Sequence, residues 1–275
     1  MVERGKPNRI IDGIGWTLGV PSKLILWDRR VENHHVSHAT EAAVIEYLAE
    51  NKMADAKVRI NQYAPIQEWK RLYRNDRVGL GWRATFGTIS LIGYTLIPGR
   101  LIGGDAYNPY THSLYLYSDV PAIALHEGGH GKDFARRRWP GTYAAVSLLP
   151  LASLYTEGRA TRDALGYLAS RRQYEDLAQA CEILYPAYGT YVGSEFGGLF
   201  WTEGGPLLSI AGAIPGHIAG RSAARHIRAL AAELHEQHLS HNPTSIQNDS
   251  TQPLPPELGS SIALGTTPPS PGTRP

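Results

Sequence analysis

The sequence predicts an α+β protein in which a small sheet packs on one central helix, followed by a glycine-rich helical region. Residues 113–118 alternate apolar and polar side chains, as a half-buried strand does. Residues 120–138 have the pattern of a capped helix and contain the motif His-Glu-Gly-Gly-His. Farther along, glycine recurs at every fourth position in two series, which is typical of closely packed helices.

Length and composition limit the possible kinds of protein. The chain has 275 residues, of which 42% are hydrophobic and 19% charged, so we expect one main domain with appendages. A formal net charge of +2 gives no reason to expect nucleic acid as a partner. The single cysteine, Cys181, excludes an intrachain disulfide and a four-cysteine zinc site.

Four elements are predicted ahead of the motif. Ser37 is a suitable N-cap for a helix over 37–53, and residues 56–63 alternate as a strand. A helix is expected over 65–74, where proline lies in the first turn. Residues 84–97 carry no charge and are rich in threonine and isoleucine, so we expect buried strands there.

The motif helix is expected to follow the strand at 113–118 directly. Asp119 is its predicted N-cap, Pro121 lies in its first turn, and Pro140 ends the segment at 120–138. A second helix is expected over 155–171. The strand before the motif is predicted to border the cleft and to bind an extended substrate by backbone pairing.

The spacing of the motif indicates a metal site. His126 and His130 are four residues apart, so a helix presents both imidazoles on one face, where they can bind one zinc ion. Glu127 projects beside that position, where it can act as general base toward zinc-bound water. Gly128 and Gly129 weaken a helix by about 1 kcal/mol each, which suggests close approach of another helix or of substrate.

The HEGGH motif resembles that of the gluzincin metallopeptidases, in which a downstream helix supplies a glutamate as third zinc ligand. The resemblance implies a zincin-like fold, a Zn²⁺ cofactor and Glu157 as that ligand, with Glu195 and Glu203 as alternatives. Acidic or imidazole groups complete such sites while leaving one position open for water or substrate.

The segment around Glu157 resembles the HtpX-like and CAAX-protease-like branch, which has the pattern Glu-x-x-Ala-Asp. Glu157 and Ala160 match the pattern, but Thr161 stands where the family has aspartate, and Asp163 comes two residues late. This departure leaves open which group orients a ligand histidine. Two side chains are candidates for stabilising an oxyanion, Tyr155 and His217.

The glycine series predicts a tightly packed helical hairpin. In each series the glycines are four residues apart, so they form a smooth stripe on one helix face. The glycines are Gly189, Gly193 and Gly197, then Gly212, Gly216 and Gly220. Because arginines flank the region, both a membrane-inserted and a soluble hairpin are compatible with the sequence, and membrane association is expected through residues 178–220.

These observations predict three regions. Residues 1–170 form a zincin-like metallohydrolase domain, 171–238 a glycine-rich hairpin, and 239–275 a disordered tail rich in proline, serine and threonine. We expect a membrane-associated, or otherwise cytoplasmic, zinc metallopeptidase acting on a peptide or protein substrate.

Two other functions remain open from the sequence. The chain can be a noncatalytic membrane or scaffold protein built on the glycine hairpin, in which the histidine motif is incidental. It can also be a zinc hydrolase of non-peptide amides or esters, because the same metal chemistry serves both kinds of bond.

Overall fold

The computed structural model describes residues 2–199 and 205–241 as a mostly helical α+β protein with one small mixed sheet. The strands are β1 (Val2–Arg4), β2 (Lys57–Ile60), β3 (Ala106–Asn108) and β4 (Ser113–Leu116). The first helices are α1 (Arg9–Leu18), α2 (Val20–Leu26), α3 (His38–Glu50), α4 (Pro65–Arg74), α5 (Leu80–Trp82), α6 (Thr88–Leu96) and α7 (Gly99–Ile102). The remaining helices are α8 (Pro121–Ala135), α9 (Pro140–Val146), α10 (Pro150–Ser170), α11 (Tyr174–Leu199) and α12 (Gly205–His241).

The sheet has the strand order β1-β2-β4-β3. β1 and β4 run parallel to β2, whereas β3 runs antiparallel to β4, with Tyr107 opposite Leu114. β3 is therefore an edge strand. It lies against α8, the helix that carries the histidine motif.

All four residues of β4 are buried, although the sequence predicted a half-buried strand. The reason is a helix on the second face of the sheet. Glu68 of α4 is fully buried, accepts a hydrogen bond from Tyr115 Oη at 2.6 Å, and pairs with Arg59 Nε of β2 at 2.6 Å. The polar positions of both strands thus face a buried charge pair instead of solvent.

Three predicted elements near the start of the chain are confirmed, with boundaries within a few residues. Ser37 is the N-cap of α3, where its hydroxyl accepts from the Thr40 N–H. The predicted strand at 56–63 is β2, and the predicted helix at 65–74 is α4.

The expectation of buried strands at 84–97 is wrong. This segment forms a π-helical turn at Arg83–Gly87 and then α6, from which Ile89, Ile92 and Leu96 project into solvent. Only Leu91 of α6 is buried. A segment without charged residues usually indicates burial, but here most of the apolar side chains lie on an outer face of the protein.

Asp119 is not the N-cap of α8. Val120 occupies that position without a side-chain cap, and α8 ends at Ala135, ahead of Pro140. The Asp119 carboxylate instead accepts hydrogen bonds from the Ser37 N–H at 2.8 Å and from Thr40 Oγ1 at 2.7 Å. It therefore joins the start of α8 to the start of α3.

The glycine-rich helices α11 and α12 pack together as an antiparallel hairpin. A Cβ added at Gly189, Gly193 or Gly212 would collide with backbone atoms of the opposite helix, so only glycine permits this approach. Among the described residues, no helix has the length and apolar character to cross a bilayer. In the tail predicted for 239–275, α12 continues to His241, and residues 242–275 lie outside the described residues.

The main core joins the sheet to α3, α8, α10 and the base of the hairpin. Its fully buried members include Val44 of α3, Leu114 of β4, Leu125 of α8, Ala164 of α10 and Ala224 of α12. The motif helix thus lies between the sheet and α10, which fixes its orientation on both sides.

Candidate metal centre

Two helices bring the predicted site residues together. His126, Glu127 and His130 lie in the middle of α8, where all three are buried. Glu157 lies on α10, seven residues from its first residue, and its side chain is largely buried. Carboxylates are favoured in the first turn of a helix by the helix dipole. Glu157 is two turns into α10, so this effect does not explain a glutamate at this position.

The three candidate ligand side chains form a small triangle, in which the carboxylate meets each imidazole through a different oxygen. Nε2 of His126 lies 3.1 Å from Oε2 of Glu157 and 3.1 Å from Nε2 of His130. Nε2 of His130 lies 3.3 Å from Oε1 of Glu157. Ligands about 2.0–2.1 Å from a tetrahedral zinc ion are separated by roughly 3.3 Å, so the triangle fits the base of such a site.

The two glycines of the motif allow neighbouring helices to approach α8. A Cβ at Gly129 would lie 3.0 Å from the backbone oxygen of Ala160 on α10. A Cβ at Gly128 would lie 2.7 Å from the ring of Tyr47 on α3. Since Ala160 is one turn after Glu157, the contact at Gly129 sets how closely the carboxylate approaches the two imidazoles.

Thr161 contacts the first histidine of the motif. Its Oγ1 lies 3.3 Å from Nδ1 of His126, whose Nε2 faces the ligand triangle. When Nε2 is unprotonated and available to a cation, Nδ1 carries the ring proton, and this N–H donates a hydrogen bond to the Thr161 hydroxyl. The position at which the sequence departs from the family pattern therefore still supplies a hydrogen-bond acceptor.

Asp163 does not contact either histidine. Its carboxylate accepts a short hydrogen bond from Tyr47 Oη and pairs with Lys132 Nζ at 2.5 Å. These contacts join α10 to α3 and α8, so Asp163 holds the helices that carry the site.

Burial and neighbouring charges move the pKa values of the two glutamates in opposite directions. Burial raises the pKa of Glu127 to about 8, and the nearby Glu157 carboxylate adds to this effect. Burial also works to raise the pKa of Glu157, but hydrogen bonds and charge interactions with His126 and His130 outweigh it and hold the pKa at about 2. Glu157 is therefore an anion suited to a cation, whereas Glu127 readily holds a proton.

The site opens into a cavity of about 760 Å³. Glu127, His130 and Glu157 lie in its wall. Six tyrosines also line it, namely Tyr94, Tyr107, Tyr110, Tyr115, Tyr117 and Tyr191. Within the described chain, the buried hydroxyls of Tyr110 and Tyr117 have no hydrogen-bond partner.

Two strands border the cavity, β3 and the predicted strand at 113–118. Asp105, Ala106, Tyr107 and Asn108 line it, and so do Tyr115 of β4 and Tyr117. An interaction with the Tyr107 backbone lowers the pKa of Glu127, against the larger effect of burial. In the described chain β3 is the outer strand of the two, so pairing with an extended substrate would occur at β3.

Tyr191 of α11 is a further candidate residue that the sequence did not reveal. It is 40% exposed and lines the same cavity, where partial desolvation and the Glu157 and Glu127 carboxylates raise its pKa. Its hydroxyl therefore remains protonated and able to donate. No local signal distinguishes Tyr191 from Tyr185 or Tyr188 in the same helix.

The two side chains considered for oxyanion stabilisation lie elsewhere. His217 Nε2 donates to the backbone oxygen of Ile25 at 2.7 Å, and its ring stacks on Trp27. The Tyr155 side chain is half exposed and contacts Arg159. Of the alternative third ligands, Glu195 does not belong to the ligand triangle, and Glu203 lies outside the described residues.

Comparisons with known proteins found no match to any family model, any curated protein or any solved structure.

Proposed function

We propose that the protein is a zinc-dependent metallohydrolase, and specifically a gluzincin-like peptidase with a zincin-like fold. The observation that carries this proposal is the ligand triangle of His126, His130 and Glu157 next to a buried glutamate. Two imidazoles with one carboxylate form a ligand set typical of catalytic zinc, whereas magnesium and calcium sites are built mainly from oxygen ligands. A zinc ion held there would polarise a carbonyl and lower the pKa of a bound water to about 7.

Glu127 is the proposed general base. Glu127 lines the cavity together with His130 and Glu157, where a water molecule can reach it. Burial raises the pKa of its carboxyl group and a cation bound by the triangle would lower it again, so the group can exchange a proton near neutral pH. It can therefore take a proton from the attacking water and pass it to the leaving amine.

The cavity wall supports a peptide as the substrate. In the described part of the chain, β3 pairs with β4 alone, and its residues line the cavity, so its second edge has no strand partner there. An extended peptide can add to such an edge through main-chain hydrogen bonds. Tyr191, on another wall, is the proposed hydrogen-bond donor to the carbonyl oxygen as negative charge develops on it.

Metal content and activity of matched variants test this proposal. We expect one zinc per purified chain, with loss of zinc in His126→Ala and in Glu157→Ala. Glu127→Gln should retain zinc but lose at least about 100-fold in kcat, because it removes the base and leaves the ligands. Full activity in Glu127→Gln would exclude Glu127 as the base.

Substrate class is tested separately with a panel of fluorogenic peptides, non-peptide amides and esters. A peptidase should cleave peptides in a zinc-dependent manner, with Glu127→Gln as the inactive control. Turnover of esters or non-peptide amides alone would favour the non-peptide hydrolase. Absence of zinc from the wild-type protein, even after incubation with zinc, would favour the noncatalytic scaffold.

A further inference from the structure

In the described part of the chain, the three longest segments without aspartate, glutamate, lysine or arginine are also rich in apolar side chains. They are residues 84–98, 139–156 and 206–220. Arginine adjoins each segment, at Arg83 before the first, Arg138 before the second and Arg221 after the third. Such a distribution in a chain that is otherwise well charged calls for a physical reason.

The three segments expose their aliphatic side chains instead of burying them. Ile89 of α6 is 65% exposed, Leu148 between α9 and α10 is 66% exposed, and Ile218 of α12 is 68% exposed. Others in the same segments are Ile92, Leu96, Leu149, Leu151, Leu207 and Ile214. A surface with this many large apolar side chains is unfavourable in water, so it marks a place of contact.

The first two segments lie at the mouth of one cavity, and the third packs on a helix that lines it. Phe86 and Ile89 from the first segment and Leu148 from the second line the cavity that contains Glu127. In the third segment, Ser209 Oγ donates to the backbone oxygen of Thr190 at 3.1 Å, next to the cavity residue Tyr191 of α11. Two of the uncharged segments thus border the opening directly, and the third adjoins the helix that supplies Tyr191.

Tryptophan and arginine stand together at the border of each segment. Trp82 immediately precedes Arg83. The guanidinium of Arg138 lies 5.4 Å from the ring centre of Trp139, and that of Arg221 lies 4.3 Å from the ring centre of Trp27. Paired tryptophan and arginine side chains suit the boundary between hydrocarbon and headgroups, because indole rings partition there and guanidinium groups bind lipid phosphates.

We propose that these three segments form a docking surface for a bilayer containing anionic lipids, with the cavity mouth held against the membrane. The aliphatic side chains enter the hydrocarbon boundary, and the bordering arginines bind the headgroups. The sequence predicted membrane contact for 178–220 only, whereas this surface also includes α6 and the α9–α10 connection. It does not depend on the metal centre, so either proposal can fail without the other.

Vesicle flotation of the full-length protein tests the surface. Wild-type protein should bind vesicles of phosphatidylcholine and phosphatidylserine, and binding to pure phosphatidylcholine should be weaker. The variant Ile89→Glu, Leu148→Glu, Ile218→Glu should reduce the partition coefficient at least tenfold. The matched control is Ile66→Glu, since Ile66 is 70% exposed but lies on the charged helix α4. It should bind as the wild type does, and circular dichroism checks the fold of both variants.

Three results would overturn the proposal. The first is a wild-type protein that fails to bind any vesicle. The second is equal loss of binding in the Ile66→Glu control and the triple variant. The third is a wild-type oligomer in light scattering that the triple variant converts to a monomer without any vesicle binding, because a second copy would then cover the surface.

Discussion

At the scale of single residues, the burial of Glu127 suits proton transfer but lowers the stability of the folded protein. Its side chain is buried beside Glu157, and the folded protein raises its pKa from the ordinary value of 4.5 to about 8. A nearby cation would oppose this shift, because positive charge favours the carboxylate. The effect of burying this carboxyl group on the free energy of unfolding should therefore be largest in the metal-free protein.

Replacing Glu127 by glutamine should stabilise the metal-free protein at alkaline pH. Between pH 4.5 and 8 the unfolded chain releases the Glu127 proton while the folded chain retains it, so the wild type loses stability as pH rises. Glu127→Gln has no such proton, and its advantage should reach on the order of 4 kcal/mol at pH 8.5 and stay below about 1 kcal/mol at pH 5. Urea unfolding in EDTA at both pH values measures this. An advantage independent of pH would contradict the raised pKa.

The hydroxyl of Thr161 should contribute to metal affinity. It accepts from Nδ1 of His126, and such contacts orient the ligand ring. Thr161→Val keeps the shape but removes the acceptor, so zinc affinity should fall about 10-fold. Thr161→Ser, which keeps the hydroxyl, is the matched control and should stay close to wild type. Competition titration with a chelating dye gives both constants, and identical affinities in the two variants would remove Thr161 from the site.

At the scale of secondary-structure elements, the spacing between α8 and α10 determines whether Glu157 reaches the histidines. The sequence alone indicated two of the three candidate ligands, because His126 and His130 share one helix and their spacing is local. The third candidate, Glu157, was indicated only by a resemblance, since nothing local places α10 beside α8. The contacts of Thr161 and Tyr191 with the site depend on tertiary packing and could not be predicted.

The incorrect predictions about the fold also arise because tertiary packing is not specified by local sequence. Residues 84–97 were assigned to strands because apolar content without charge usually indicates burial, yet α6 exposes Ile89 and Leu96. β4 was predicted to be half exposed, but α4 covers its second face with Glu68. Local patterns located most elements correctly, whereas burial depended on neighbours that the sequence did not specify.

Gly129 should be required for the geometry of the ligand triangle. Gly129→Ala places a Cβ 3.0 Å from the Ala160 backbone oxygen, so α10 has to move away by a few tenths of an ångström. We expect lower zinc affinity and a stability loss of about 1 kcal/mol, because overpacking outweighs the gain in helix propensity. Gly166→Ala on α10 is the control, since a Cβ there meets no atom within 4 Å, and it should add up to about 1 kcal/mol. If both variants bind zinc as tightly as the wild type, the contact at Gly129 does not determine the geometry of the ligand triangle.

At the scale of the whole molecule, the candidate centre lies where three parts of the fold meet. The sheet supplies β3, the central helices α8 and α10 supply the ligand triangle, and α11 of the glycine hairpin supplies Tyr191. The hairpin base also belongs to the main core, through Ala178 and Ala224. A ligand that joins α8 to α10 should therefore stabilise the folded state as a whole.

Zinc should raise the thermal stability of the protein through this centre alone. Binding only to the folded state adds about 2.7 kcal/mol at a free metal concentration 100 times the Kd, which corresponds to a rise in Tm of roughly 5–10 °C for a chain of this size. Calorimetry with buffered zinc and with EDTA measures the difference. His126→Ala should lose the shift, whereas His35→Ala, at an exposed histidine, should keep it. A shift of equal size in His126→Ala would place the bound metal elsewhere in the chain, and an equal shift with magnesium would contradict a site built on two imidazoles.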